Sequence, residues 1–333
     1  MTTQGAAPVH STASADKGFT RRERLLGILR RRGAVAVLFL VVAVASLTFD
    51  GFLTMRNLEN VLLQGALLGL IAVGMTVIIS GGIDLSVGSL LALGGVLAGL
   101  TVGVSWPLAL VAPVLACGLI GLGQGLLIAK AKMAPFIVTL AGLLGVRGLA
   151  LALSDEKPIS IDNESPFVWF GQGEILGLTV PIVLMLVAFA VGGLVLARTR
   201  YGRAVFAIGG SEESARLMGV PVDRTKIIAY TVNGVLAGLA GALLAARLAA
   251  SQPTAGAGWE LDAISAVVVG GTLLTGGAGS ISGSLAGVLL LSVLQNLINQ
   301  VGTLGSYTQQ LVSGVFLIAV ILVQAYLARK QRL

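Results

Sequence analysis

The chain is short of the residues that catalysis and solubility draw on. Among 333 residues there is one histidine, His10, and one cysteine, Cys117. That excludes a His/Cys metal cluster and any intrachain disulfide framework. Charged residues make up only 11%, less than half the ~25% of soluble domains, and a water-facing surface of this size needs more. Disorder is excluded by the opposite excess, because 56% of the chain is hydrophobic and disordered chains are poor in apolar residues. No glycine stands directly before a lysine, so the G-x-x-x-x-G-K-[ST] phosphate cradle is missing. His10 lies in a polar leader, away from the apolar body, which leaves no serine–histidine couple. His/Cys metal clusters, disulfide frameworks and the P-loop are gone before any motif is read.

What remains is apolar length. A helix needs ~20 mostly apolar residues to cross the hydrocarbon of a bilayer. Charge-poor stretches at 33–49, 60–83, 133–154, 175–197 and 227–246 each suffice for one span. Residues 85–129, broken near Ser105, Trp106 and Pro107, suffice for two. Residues 263–328 suffice for three, with interruptions at the glycine-rich 275–283 and at 302–306. The pattern predicts an all-α polytopic membrane protein with about ten transmembrane helices. Ala43, Val44 and Ala45 look like a signal-peptidase site, but the polar lead is too long and further spans follow, so 33–49 reads as an uncleaved first helix.

Orientation comes from lysine and arginine, which favour the cytoplasmic side. With the amino terminus inside, 18 of the 22 basic residues fall in cytoplasmic segments. An even number of spans returns the carboxyl terminus to the same side. The net charge of +7 is thereby read as topology, with no nucleic-acid partner. The expected domains are a disordered basic leader at 1–32, a transmembrane body at 33–328 and a tail at 329–333. Within the body, Ile83-Asp84-Leu85 precedes an apolar run ending in Gly94-Gly95, and Leu261-Asp262-Ala263 precedes one ending in Gly270-Gly271. Related units at about 60–154 and 227–328 would start on opposite faces, which makes them inverted repeats with a pathway between them. Shared Gly/Leu/Ala composition is the alternative explanation of the likeness.

Segment 198–226 is the most charged internal stretch, nine of 29 residues. Ser211 suits a helix N-cap, Glu212 and Glu213 suit the positive helix end, and Gly219 suits a left-handed stop before Pro221. Ala215 and Met218, three apart, are expected to share an apolar side able to enter a partner's groove. A solvated connector fits the same residues. Thr76, Ser80, Ser86, Thr139, Asn233, Gln295 and Asn296 are polar groups in apolar surroundings. They either line a path for a hydroxylated solute or bond helix to helix. Asp84 and Asp262 belong with them, each as a path-shaping cap or as a turn residue satisfying backbone amides. The outer stretch 155–174 carries five acids against one lysine. It would dock a basic partner, or it is acidic because basic residues are kept inside.

Several motifs in order resemble one family. The run Thr199-Arg200-Tyr201-Gly202-Arg203-Ala204-Val205-Phe206-Ala207-Ile208-Gly209-Gly210, then Ser214-Ala215-Arg216-Leu217-Met218-Gly219-Val220, is similar to the ATPase-contacting loop of ABC sugar-importer permeases. Gly74-Met75-Thr76, Ser80-Gly81-Gly82-Ile83-Asp84-Leu85-Ser86, Pro135-Phe136-Ile137-Val138-Thr139-Leu140 and Glu260-Leu261-Asp262-Ala263-Ile264 extend the resemblance from about residue 52 to 323. It points to ribose-, xylose- and galactofuranose-type permeases. The galactofuranose type looks nearest through Ser154-Asp155-Glu156 and the Gly-Gly-Thr-Leu-Leu run at 270–274. The resemblance implies an inverted-repeat ABC importer permease fold with both termini cytoplasmic, in a bacterial inner membrane. It also implies an ATPase subunit holding ATP and magnesium, a periplasmic sugar-binding protein and a second permease, identical or different. No cofactor is expected on this chain. Gly209, Glu212, Glu213, Ala215, Arg216 and Gly219 match the family's coupling loop. A carrier driven by protons or sodium, acting without an ATPase, is the alternative.

Overall fold

The structure, a computed structural model, describes residues 21–79, 82–273 and 276–301, with isolated positions at 311, 314, 315 and 318. It opens with α1 (Arg21–Thr48), α2 (Met55–Ile79), α3 (Val87–Val102), α4 (Trp106–Ala129) and α5 (Pro135–Leu153). A connecting stretch holds β1 (Ile159–Ser160), α6 (Trp169–Gln172), β2 (Glu174–Ile175) and β3 (Leu178–Thr179), and leads to α7 (Val180–Arg198). Then come α8 (Arg200–Gly210), α9 (Glu212–Leu217), α10 (Val222–Leu248), β4 (Ala250–Ser251), α11 (Trp259–Val269) and α12 (Ile281–Val301). Prolines in the first turns of α4, α5 and α7 start helices where no intrahelical N–H bond is lost.

Among the described residues, six helices (α2, α4, α5, α7, α10 and α12) are long and apolar enough to cross a membrane, with shorter apolar stretches in α1 and α3. Two expectations change, and a third falls largely outside the described residues. Residues 21–32, expected as disordered leader, continue α1 without a break. The first of the three spans expected from 263–328 is α11, whose 11 residues reach only ~16 Å against a ~30 Å hydrocarbon core. It is a half-helix, preceded by loop 252–258, which turns inward after the β1–β4 pairing of Ile159 with Ser251 and Ser160 with Ala250. The last span expected from that stretch lies outside the described residues.

Packing is reciprocal between the two expected units. The first long helix of one unit, α2, packs on α12 and α11, while its counterpart α10 packs on α4 and α3. In lipid there is no hydrophobic drive between helices, so close packing of small residues has to hold them. The α4–α10 seam does this with main chain against main chain. A side chain added at Gly121 or Gly125 would meet the backbone of Tyr230 or Ile227, and one at Gly234 or Gly238 would meet the backbone of Cys117 or Pro113. On the other side of α10, Gly94 lies against Gly238, and Gly241 against the Leu91 carbonyl. Only glycine permits that approach. The largest apolar cluster, including Leu67, Ile71, Met75, Leu91, Met185 and Leu243, sits where α2, α3, α7 and α10 converge.

Gly241→Val should cost about 1–3 kcal/mol by overpacking, lowering the thermal transition of the detergent-solubilised protein. Gly123→Ala, where a new Cβ meets nothing within 4 Å, should leave that transition unmoved.

Candidate translocation and coupling sites

The polar residues singled out in the sequence gather mostly in one interior knot. The chain leaves α2, runs through an extended segment and starts α3 at Val87, with Ser86 as its cap. Asp84 in this segment is fully buried. Its Oδ1 accepts from the Ser86 N–H at 2.8 Å and the Ser86 hydroxyl at 2.6 Å, and its Oδ2 accepts from Asn233 Nδ2 at 2.8 Å. Gln124 Nε2 donates to Ser86 Oγ at 2.9 Å. Three elements, the loop before α3, α4 and α10, are thus pinned through one carboxylate. The Ile83 carbonyl beside it accepts from Tyr230 Oη and Thr139 Oγ1, both at 3.4 Å. Asn233 is fully buried, and its Oδ1 has no hydrogen-bond partner among the described residues. It presses on Gly74, where any Cβ would collide with it.

Thr76 is buried on α2, where its hydroxyl bonds the Ala72 carbonyl at 2.6 Å and the Ser284 hydroxyl of α12 at 2.7 Å. Thr139, also buried, returns its hydroxyl to the Pro135 carbonyl at 2.9 Å. Asn296 lies apart from this knot, giving Nδ2 to Asn57 Oδ1 at 2.9 Å near the start of α2. Gln295 and Asp262 are half-buried, on α12 and α11. Ser80 lies outside the described residues. The structure therefore brings Asp84, Ser86, Thr139 and Asn233 together and leaves Asn296, Gln295 and Asp262 elsewhere. Gln124, Ser284 and Tyr230 complete these contacts without having been picked out in the sequence. Gln124 had a signal, a lone amide between Gly123 and Gly125, whereas Ser284 had none. The interior around these residues is tight. One crevice of about 10 Å³ is bordered by Leu91, Gly95 and Gly241, and one of about 20 Å³ by Val77, Ile208 and Tyr230. Each has room for about one water.

Segment 198–226 folds as two helices. Thr199 caps α8 by accepting from the Gly202 N–H at 3.2 Å, and Ser211 caps α9 by accepting from the Ser214 N–H at 3.2 Å. Glu212 and Glu213 occupy the first turn of α9, and Gly219 ends the segment at φ +77°, a left-handed conformation natural to glycine. The shared apolar side expected for Ala215 and Met218 does not exist. Ala215 is fully buried against Ile208 and Val222. It is Leu217 and Met218 that project, 85% and 72% exposed. With only six residues, α9 passes Leu217 and turns the backbone at Met218, so the i, i+3 rule no longer holds there. Gly209, at the end of α8, has its carbonyl against Gly277.

An ion network fixes this tip. Arg216 donates to Asp223 at 2.9 Å and to Glu212 at 3.2 Å, and Lys226 donates to Glu212 at 2.6 Å. Lys130 and Lys132 of the α4–α5 turn stand 3.7 and 3.8 Å from Asp223. Partial burial resists ionisation of Glu212, but the bonds from Lys226 and Arg216 outweigh it and hold its carboxyl below the ordinary 4.5. The Arg216 bond does the same for Asp223, against weaker burial, and holds it below 3.8. Surface pairs are individually weak. Here five charged contacts converge on two carboxylates.

Residues 57–322 match the family described as "Branched-chain amino acid transport system / permease component". The chain is 46% identical over 301 residues to the ribose import permease protein of Bacillus subtilis (strain 168), covering 89% of this chain and 93% of that protein. To the ribose import permease protein of Escherichia coli (strain K12) it is 42% identical over 329 residues, covering 97% and 98%. The L-arabinose ABC transporter permease protein of Azospirillum brasilense is 38% identical over 324 residues, covering 96% and 95%.

Asn233→Ala removes a buried donor from Asp84 and should cost about 1–3 kcal/mol, read as a lower thermal transition. The α9 network has its own pH signature. Both carboxyls titrate below their ordinary values, so their stabilisation is complete above about pH 4.5 and is lost as pH falls through the lower folded values. A nitroxide attached at position 214 should stay immobile from pH 7 to 5 and loosen below about pH 4.

Proposed function

The chain belongs to this permease family, and from that membership we propose that it carries a monosaccharide across the bacterial inner membrane, driven by ATP hydrolysis on another subunit. The observation that carries the coupling half of this reading is the α9 tip. Leu217 and Met218 stand out as an exposed apolar pair on a helix that ion pairs brace against α10 and the α4–α5 turn. An apolar tip held stiffly is what a cleft on a partner needs in order to push. Glu212, Ala215, Arg216 and Gly219 build the tip, Glu213 lies exposed in its first turn, and Gly209 joins it to α8. On this reading they are coupling residues, with Leu217 and Met218 making the contact. ATP and magnesium belong to the ATPase, and a periplasmic binding protein delivers the sugar.

The topology proposed with this function has ten spans, both termini in the cytoplasm, inverted repeats at about 60–154 and 227–328, a coupling segment at 198–226 and a tail at 329–333. The reciprocal packing of α2 with α12 and of α10 with α4 supports the repeats. A second permease is part of the proposal. Among the described residues, the crevices beside the knot hold about one water each, too little for a sugar, which supports a path formed with a second subunit. Thr76, Asp84, Ser86, Thr139, Asn233 and Asn296, each bonded inside the chain, then shape the wall of the path. Asp262 and Gln295, less buried, are the nearer candidates for contact. The relatives are named for ribose and arabinose, which favours a pentose over galactofuranose.

Replacing Leu217 and Met218 together by aspartate should leave folding almost untouched, since both side chains are exposed. ATP-driven sugar uptake into proteoliposomes should fall by about tenfold or more, as for loss of a central apolar anchor. Normal uptake by the double variant would remove α9 from the coupling role.

A further inference from the structure

Arg147 is a charged residue within a span that the knot around Asp84 does not use. It lies six residues, roughly 9 Å, before α5 ends at Leu153. Its Nη1 donates to the Pro253 and Ala255 carbonyls at 2.8 and 2.7 Å, so it anchors the loop that leads into α11. Two carbonyls leave most of a guanidinium's five N–H donors free, and among the described residues no other partner takes them. Across the loop, Glu260 is half-buried in the first turn of α11. Its Oε1 accepts from the Gly258 N–H at 3.3 Å, and Oε2 has no hydrogen-bond partner among the described residues. No ion pair within 4.0 Å joins Glu260 to Arg147 among the described residues, although the two charges are within electrostatic reach. Gln252, at the head of the same loop, is exposed with its carboxamide unpaired among the described residues. Gly148, next to Arg147, and Gly145, one turn earlier, each have open space where a side chain would stand.

Unmet donors and acceptors are costly against lipid, so these groups call for polar company on the face they open onto. Ionisable groups inside spans characteristically line solute routes. The set here is a fork of N–H donors, a carboxylate that only accepts and an amide that does both. That is the inventory that neighbouring hydroxyls on a neutral sugar require, each hydroxyl giving one hydrogen and offering lone pairs. We propose that Arg147, Gln252 and Glu260 form a half-site for adjacent sugar hydroxyls at the outer mouth of the path, with Gly145 and Gly148 leaving room for the ring. The proposal rests on the permease reading and adds the groups that contact its cargo.

The test uses the complete importer, this permease with its ATPase and binding protein, in proteoliposomes. Radiolabelled ribose and arabinose are the probes, and the quantity read is sugar moved per ATP hydrolysed. Glu260→Gln, Gln252→Ala and Arg147→Lys should each lower that ratio roughly 3- to 10-fold, the cost of one hydrogen bond to the cargo. A ratio equal to wild type overturns the half-site, including the case where uptake and hydrolysis fall together because the residues only brace the loop. If the buried-site variants fail to insert, Gln252→Ala, at an exposed position, decides alone. A wild-type importer that moves no sugar on addition of ATP would overturn the permease reading itself, a result that none of the variant ratios can mimic.

Discussion

Everything in this molecule follows from helices that must recognise one another in a solvent as oily as themselves. Burial of apolar surface gives nothing there, so contact has to come from shape and from hydrogen bonds whose only alternative is to go unmade. The chain meets the first need with glycine, so that α3, α4 and α10 touch along their main chains at Gly94, Gly121, Gly125, Gly234, Gly238 and Gly241. It meets the second with a few saturated polar groups. Asp84 spends its lone pairs on Ser86 and Asn233, and Thr76 bonds Ser284 across the two expected units. The high glycine content and the scattered hydroxyls and amides are two parts of one solution.

The same constraint explains why the polar residues picked out in the sequence are bonded within the chain. A buried hydroxyl or amide in a helix bundle finds a protein partner wherever one is in reach. Thr139 bonds back to Pro135, and Asn296 finds Asn57. Polarity in an apolar stretch marks interior position well. Groups left with spare capacity, such as Arg147, are the more informative ones.

Much of the architecture was legible from charge-poor length. The breaks at Ser105 and after Ala129, the starts at prolines and the caps at Ser211 and Gly219 all fall where local chemistry requires them. What stayed hidden depends on three dimensions. Apolar composition does not distinguish a half-helix such as α11 from a full span, because both are rich in apolar residues over their length. The face of Ala215 was misjudged because helical spacing was carried past the last turn of α9. Gln124 and Ser284 became visible only once distant segments were brought together, 38 and 208 residues from their partners. Arg147 was legible as a charge in a span, but its hold on Pro253 and Ala255 was not.

The glycine seam also sets the mechanics. Side chains hop between rotamers and absorb strain, but two backbones in direct contact have no such slack. The trio α3, α4 and α10 is therefore a stiff beam. Asp223 and Lys226 in the first turns of α10, and Lys130 and Lys132 just past α4, tie α9 to one end of it. A displacement at that end would be carried along the beam to where α10 passes into the loop that Arg147 holds. Rotation of the beam as a whole, rather than bending along it, is the movement that such a construction transmits.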